Sequence, residues 1–247
     1  MQIDHQKLAL AYNDVLTSII NHPEPFSKNE QLVALYPMSG RGETVDTLYF
    51  GRALNGWKWH FTLKDIQQNP DEVLQWIVQN GQDKYQPHEE RLDWVQCQWQ
   101  SKDLYNTARS QFWQVIRRVA MQRQGDASNW WDEVAWSNLL KLAPSGKNPS
   151  AAQMKVMGTH FLRMAVTEIQ LFKPTNVVCL TGMNWANNLL NAGTQCKKIP
   201  YNGNQLKYVG DRSYGDHNCR VVVAPHPQGK SSSKIADEIL QVLEAKR

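Results

Sequence analysis

Two short runs constrain this chain most, NVVCL at 176–180 and VVVA at 221–224. VVVA is apolar along its whole length and NVVCL from Val177 onward, and both are rich in β-branched residues. A strand that faces water on one side alternates; a continuous apolar run belongs to a strand buried on both faces, which is the habit of parallel sheets covered by helices. Each run also ends on strand-stopping chemistry, Thr181-Gly182 after the first and Pro225 after the second.

Helical patterns fill the spaces between such runs. Residues 4–21 place Leu8, Tyr12, Val15, Leu16 and Ile19 at helical spacing. Residues 63–80 read as a helix divided at Pro70. Residues 101–123 place Leu104, Tyr105, Ala108, Phe112, Val115, Ile116 and Val119 on one face, and residues 151–172 place Met157, Phe161, Leu162, Ala165, Ile169 and Phe172 on one face. NWANNLLNAG forms a short helix closed by Gly193, and the segment from Ser233 to Arg247 forms the last. QLVALYP reads as the first strand, EVAWSNLLKLA as the second, and 195–220 as a hairpin. DTLYFGRALNGWKWHFT and residues 81–100 show no period that assigns them. The order is strand and helix in alternation, which predicts an α/β fold with a mostly parallel sheet. No internal repeat or linker divides residues 1–247, so a single domain is expected, with a helical extension over about 1–25.

Composition narrows the class. Hydrophobic residues make up 41% and charged residues 20%, which describes a soluble globular chain. No run has the length of a membrane span, and the early acids in MQIDHQKLALAYNDVL do not suit a secretory signal. A cytoplasmic monomer is expected. Cys97, Cys179, Cys196 and Cys219 lack metal-binding spacing and read as free thiols; no metal site is expected. Net charge is +4. The first 123 residues carry 13 basic against 14 acidic groups and the remainder 14 against 9, so the surplus lies in the C-terminal half and suits an anionic partner. SGRGE at 39–43 has two glycines but not the spacing of a nucleotide-binding P-loop, which argues against a nucleotide cofactor.

One residue stands out at the end of the last strand. His226 lies between Pro225 and Pro227 in VVVAPHPQGK. In open α/β sheets ligands bind at the C-terminal ends of the strands. Two readings fit it: a functional imidazole or a strand cap.

Three segments together resemble the uracil-DNA glycosylase superfamily: EVAWSNLLKLAPSGKNPS, FLRMAVTEIQLFKPTNVVCLTG and VVVAPHPQGK. The resemblance covers 134–247 and, less closely, 30–57. It implies a three-layer α/β/α sandwich around a four-stranded parallel sheet. It implies a monofunctional enzyme, needing no cofactor, that flips a nucleotide out of DNA and hydrolyses its N-glycosidic bond. His226 would then donate a hydrogen bond to the departing base, and Asn138 would read the base edge; a turn asparagine is the plain alternative. Ser145, Gly146, Lys147 and Ser150, and likewise Gly229, Lys230, Ser231, Ser232 and Ser233, would contact phosphates, or be ordinary loops.

The chain departs from the family after QLVALYP. Tyr36 stands where the family often has Asp or Asn, followed by Met38 and Ser39, and a tyrosine is no base at neutral pH. The nearest carboxylates, Glu43 and Asp46, are candidates to orient water, or are helix N-terminal acids. The residues after His226-Pro227 include no large apolar wedge. The altered YPMSG segment, with Tyr36, Met38 and Ser39 near the base, suggests a pyrimidine larger than uracil, such as a modified base of phage DNA. A non-catalytic DNA-binding protein on the same fold is the rival reading; a hydrolase of free nucleosides is a third.

Overall fold

The computed structural model describes residues 5–52, 60–83, 92–103, 105–125 and 128–244. The chain is α/β. Its elements are α1 (His5–Asn21), β1 (Gln31–Ala34), β2 (Met38–Ser39), β3 (Thr47–Gly51), β4 (Phe61–Thr62), α2 (Leu63–Gln68), α3 (Pro70–Asp83), α4 (Asp93–Cys97), α5 (Gln111–Gln124), β5 (Val134–Asn138), β6 (Leu142–Pro144), α6 (Ala151–Phe172), β7 (Asn176–Leu180), α7 (Met183–Ala192), β8 (Thr194–Lys198), β9 (Tyr208–Tyr214), β10 (His217–Ala224) and α8 (Ser232–Glu244).

Seven strands form a mixed sheet in the order β2-β5-β3-β7-β10-β9-β8. The four consecutive strands β5, β3, β7 and β10 run parallel. β2 joins one side antiparallel, and the β8–β9–β10 meander extends the other. The sheet therefore has seven strands where four are expected. QLVALYP is not among the parallel ones. β1 pairs antiparallel with β4 and β6 in a separate three-stranded sheet, and the first parallel strand is β3. EVAWSNLLKLA is two strands, β5 and β6, because the chain turns at Leu139–Lys141.

The continuous apolar runs do what their composition predicts. Leu48, Phe50, Val177, Cys179, Val221 and Val223 face one apolar cluster, which α1, α6 and α7 complete. Tyr49, Val178, Leu180, Val222 and Ala224 face a second, with residues of α4, α5 and α8. Ser150 caps α6 through a capping box with Gln153, which fixes where the helix starts. Lys173, in the left-handed region at φ 45°, ends it before Pro174. α5 begins at Gln111, later than expected, and Tyr105 is 59% exposed instead of buried; Leu104 lies outside the described residues. Of the tryptophans, Trp94, Trp113, Trp130, Trp131 and Trp136 are buried.

No helix among the described residues is long and apolar enough to cross a membrane. The four cysteines are free.

Candidate active site

The parallel strands end together. Gly51 of β3 pairs with Asn138 of β5, and Leu180 of β7 with Ala224 of β10. The chain leaves β3 toward β5 on one side and leaves β7 toward β10 on the other. The gap between β3 and β7 is thus the switch point where open α/β sheets bind ligands. Arg52 fills it. Its Nε donates to the Thr181 carbonyl at 2.8 Å, and its guanidinium lies over the Trp185 ring at 5.7 Å from the centroid.

His226 stands at the same edge, half-buried, immediately after β10. Its Nδ1 accepts the Gln228 backbone N–H at 3.3 Å. A neutral ring that accepts on Nδ1 carries its proton on Nε2, and no described residue takes that donor. Burial, then the Arg52 charge, holds the His226 pKa below its usual value. The arrangement is a neutral N–H donor at a sheet edge, beside a fixed positive charge.

The loop behind His226 is braced. Gly229 N–H donates to Gln111 Oε1 at 2.6 Å, and Gln111 Nε2 donates to the Lys230 carbonyl at 2.7 Å. Ser232 Oγ donates to Gln114 Oε1 at 2.7 Å. Ser231 Oγ accepts the Lys234 N–H at 3.4 Å and lies 3.0 Å from Ser233 Oγ. Ser232 and Ser231 thus have local partners, while Lys230 is exposed.

Asn138 is buried at the end of β5, with its side chain over Gly51. A Cβ at Gly51 would overlap Asn138 Oδ1, so only glycine leaves that amide its place. Directly behind it lies a buried polar group. Lys141 folds inward, and its Nζ, fully buried, donates to Ser137 Oγ at 2.7 Å and Glu168 Oε2 at 2.6 Å. Ser137 Oγ donates to Glu168 Oε1 at 3.2 Å, and the ammonium lies 5.0 Å from the Phe50 ring centroid. Burial pulls the Lys141 pKa down and pushes that of Glu168 up, while each charge opposes the other's shift. The network holds Ser137, and with it the end of β5, against α6.

The acids expected to orient water are elsewhere. Asp46 precedes β3, at the N-terminal ends of the parallel strands, roughly 20 Å along the strand from Arg52 by its rise per residue. Its carboxylate takes Arg123 Nε and Nη2, each at 2.7 Å, and Thr47 Oγ1 at 2.7 Å. Burial raises its pKa, but the Arg123 and Thr47 hydrogen bonds outweigh burial and set it below the usual value. Asp46 is therefore half of a structural ion pair. Glu43 is exposed near the same end, in a segment whose Gly42 N–H bonds the Asp132 carbonyl at 2.8 Å. Neither acid starts a helix.

The YPMSG segment runs antiparallel beside β5, with Tyr36 toward its Asn138 end and Ser39 toward its start. Tyr36 is buried and stacks on Tyr12, ring centroids 5.9 Å apart. Met38 is buried and pairs with Trp136; Ser39 pairs with Ala135. In the loop before α6, the Ser145 N–H bonds the Gln31 carbonyl at 2.8 Å, and Lys147, 65% exposed, pairs with Glu30 at 2.9 Å. Of the expected residues, then, the structure brings His226 and Asn138 to one edge, with Lys230, Ser231 and Ser232 close in sequence to His226.

Arg52 and Gln111 were not among the expected residues. The signal for Arg52 is present: it follows a fully buried run, TLYFG, as His226 follows VVVA. Residues 53–59, the next in sequence, lie outside the described residues. Among the described residues no group of three or more His, Cys, Asp or Glu is placed to hold a metal ion. The sequence matches no protein-family model and no curated protein.

Proposed function

We propose that this protein is a monofunctional DNA glycosylase that hydrolyses the N-glycosidic bond of a flipped-out pyrimidine. The observation that carries the reading is His226: a neutral ring with its free Nε2–H at the C-terminal edge of the sheet, under the charge of Arg52, with Asn138 at the same edge on β5. In the reaction, water adds to the sugar C1′ and the C1′–N bond breaks. Its electron pair leaves on the base, which is then protonated; the water's remaining hydroxyl stays on the abasic sugar. A preorganised donor aimed at a base carbonyl stabilises that charge as it develops. Arg52 adds a fixed positive field, and the Asn138 amide, able to donate and accept, selects the base edge.

The order of the parallel strands supports the same reading. In chain order they stand second, first, third, fourth, with apolar clusters on both faces. That suits the three-layer glycosylase sandwich with extra strands at both edges. The reading extends to modified pyrimidines bulkier than uracil, on the altered YPMSG segment, whose Tyr36 and Met38 side chains are buried in the core. Excision of such bases from phage DNA would make the enzyme a defence protein.

A second reading, DNA binding without cleavage, is favoured by one observation: Glu43 and Asp46 stand at the opposite ends of the strands. Incubation with DNA carrying uracil or substituted pyrimidines, followed by alkali, separates the two. Strand breaks at the pyrimidine support the enzyme; bound but intact DNA across the panel supports the binder.

A further inference from the structure

Beside the strand ends lies a cavity of about 390 Å³ between α6, α7 and the segment 139–149, a volume in the range of small-molecule sites. Its floor is apolar, formed by Leu139, Phe161 and Leu162. Its rim carries the exposed amides of Asn184 and Asn188, which have no hydrogen-bond partner among the described residues. Trp185 forms a wall. The same indole carries the Arg52 guanidinium, and Leu139 directly follows Asn138. Cavity and strand-end site therefore share a border.

Gly158 adds an independent sign that this space is kept open. It lies in the interior of α6 and lines the cavity. Glycine is unfavourable inside a helix, and nothing in the backbone demands it here. Among the described residues, the one atom within 4 Å of a Cβ at this position is the Met154 methyl, at 3.3 Å. A side chain would fit, at the expense of the cavity.

An aromatic wall, an apolar floor and a rim of unpaired amides suit a flat ring with a polar edge. Unpaired nucleobases are bound by this chemistry, stacked on an aromatic and hydrogen-bonded at the edge. We propose that the cavity holds the nucleobase adjacent to the excised one in the same strand, stacked on Trp185 with its polar edge on Asn184 and Asn188. The proposal rests on the glycosylase reading. It makes the enzyme a reader of sequence context that engages two neighbouring unstacked bases, and so favours single-stranded or locally opened DNA.

The test uses single-stranded oligonucleotides with a non-hydrolysable C-nucleoside analogue of uracil at the target position. Bases on either side are replaced one at a time by abasic spacers, and affinity is read by fluorescence anisotropy. One adjacent position should cost roughly tenfold in Kd, the scale of a lost base–aromatic stack. Gly158→Leu fills the cavity and should bind every oligonucleotide as the parent binds that spacer oligonucleotide. Trp185→Ala should behave alike, which keeps the test valid if the leucine variant does not fold. A parent that loses less than twofold at every adjacent position overturns the proposal while leaving the glycosylase reading intact. So does a folded Gly158→Leu that retains the tenfold effect. Failure of every oligonucleotide to bind overturns both.

Discussion

Lys141→Met should destabilise this protein severely, and the double variant Lys141→Met/Glu168→Leu should not. Both charges of the parent pair are fully buried, with Nζ 2.6 Å from Glu168 Oε2 and 2.7 Å from Ser137 Oγ. Removing the ammonium leaves a fully buried carboxylate with one weak donor among the described residues, Ser137 Oγ at 3.2 Å. Breaking a buried pair in this way costs about 3–5 kcal/mol. For a chain of this length that lowers Tm by roughly 6–20 °C. Replacing both partners removes both desolvation costs, and such exchanges are often neutral or stabilising. The double variant should therefore lie within about 1 kcal/mol of the parent or above it. Urea titrations followed by tryptophan fluorescence measure all three proteins and the Glu168→Leu variant, giving a double-mutant cycle. If Lys141→Met stays within about 1 kcal/mol of the parent, or the two single losses simply add, the pair does not act as a buried unit and the reasoning fails. The double variant also separates stability from function. Ser137 loses the donor that holds it beside Asn138, so base release should slow although the protein stays folded.

Three further outcomes follow from the site. Gly51→Ala should cut base release to the level of Asn138→Ala, since the new methyl occupies the place of the Asn138 amide; single-turnover rates at parental levels would contradict that packing. Asp46→Asn should cost about 1.5–3 kcal/mol of stability, the worth of hydrogen bonds to a charged group, and leave the activity of the folded protein unchanged; a folded but inactive variant would return Asp46 to the mechanism. The His226 ring, titrated by NMR, should protonate below 6.5, the usual histidine value, and Arg52→Gln should raise that pKa. Because the folded value lies below the unfolded one, the stability linked to this ring is full above the unfolded pKa and declines as pH falls from there through the folded pKa. An unmoved titration in Arg52→Gln would remove the guanidinium from the site.

The sequence was most legible where one physical signal acted alone. α6 runs from Ala151 to Phe172, as its apolar period predicts, because Ser150 caps one end and Lys173-Pro174 stops the other. NVVCL and VVVA are central strands because nothing polar interrupts them. TLYFG was missed because it runs without punctuation into a mixed aromatic stretch, although all five of its residues are buried. QLVALYP carries the same composition yet forms part of a small antiparallel sheet; two apolar faces show that a strand is covered, not which sheet covers it. The site divides in the same way. That His226 and Asn138 stand at strand ends was legible from the apolar runs that precede them. Asp46 was misplaced because proximity in sequence to a strand does not tell which end of that strand a side chain occupies. The inward fold of Lys141 was invisible, since its partner Glu168 lies 27 residues away on α6.

The central claim is that His226 donates to the departing base. Its most direct test is single-turnover release of free base from a cleavable pyrimidine substrate, comparing the parent with His226→Ala, alongside a binding titration and a thermal melt. The account predicts a loss of about two to three orders of magnitude in rate, the scale of one lost donor to a developing anion, with nearly unchanged affinity and an intact thermal transition. Parental release by a folded His226→Ala protein would contradict it.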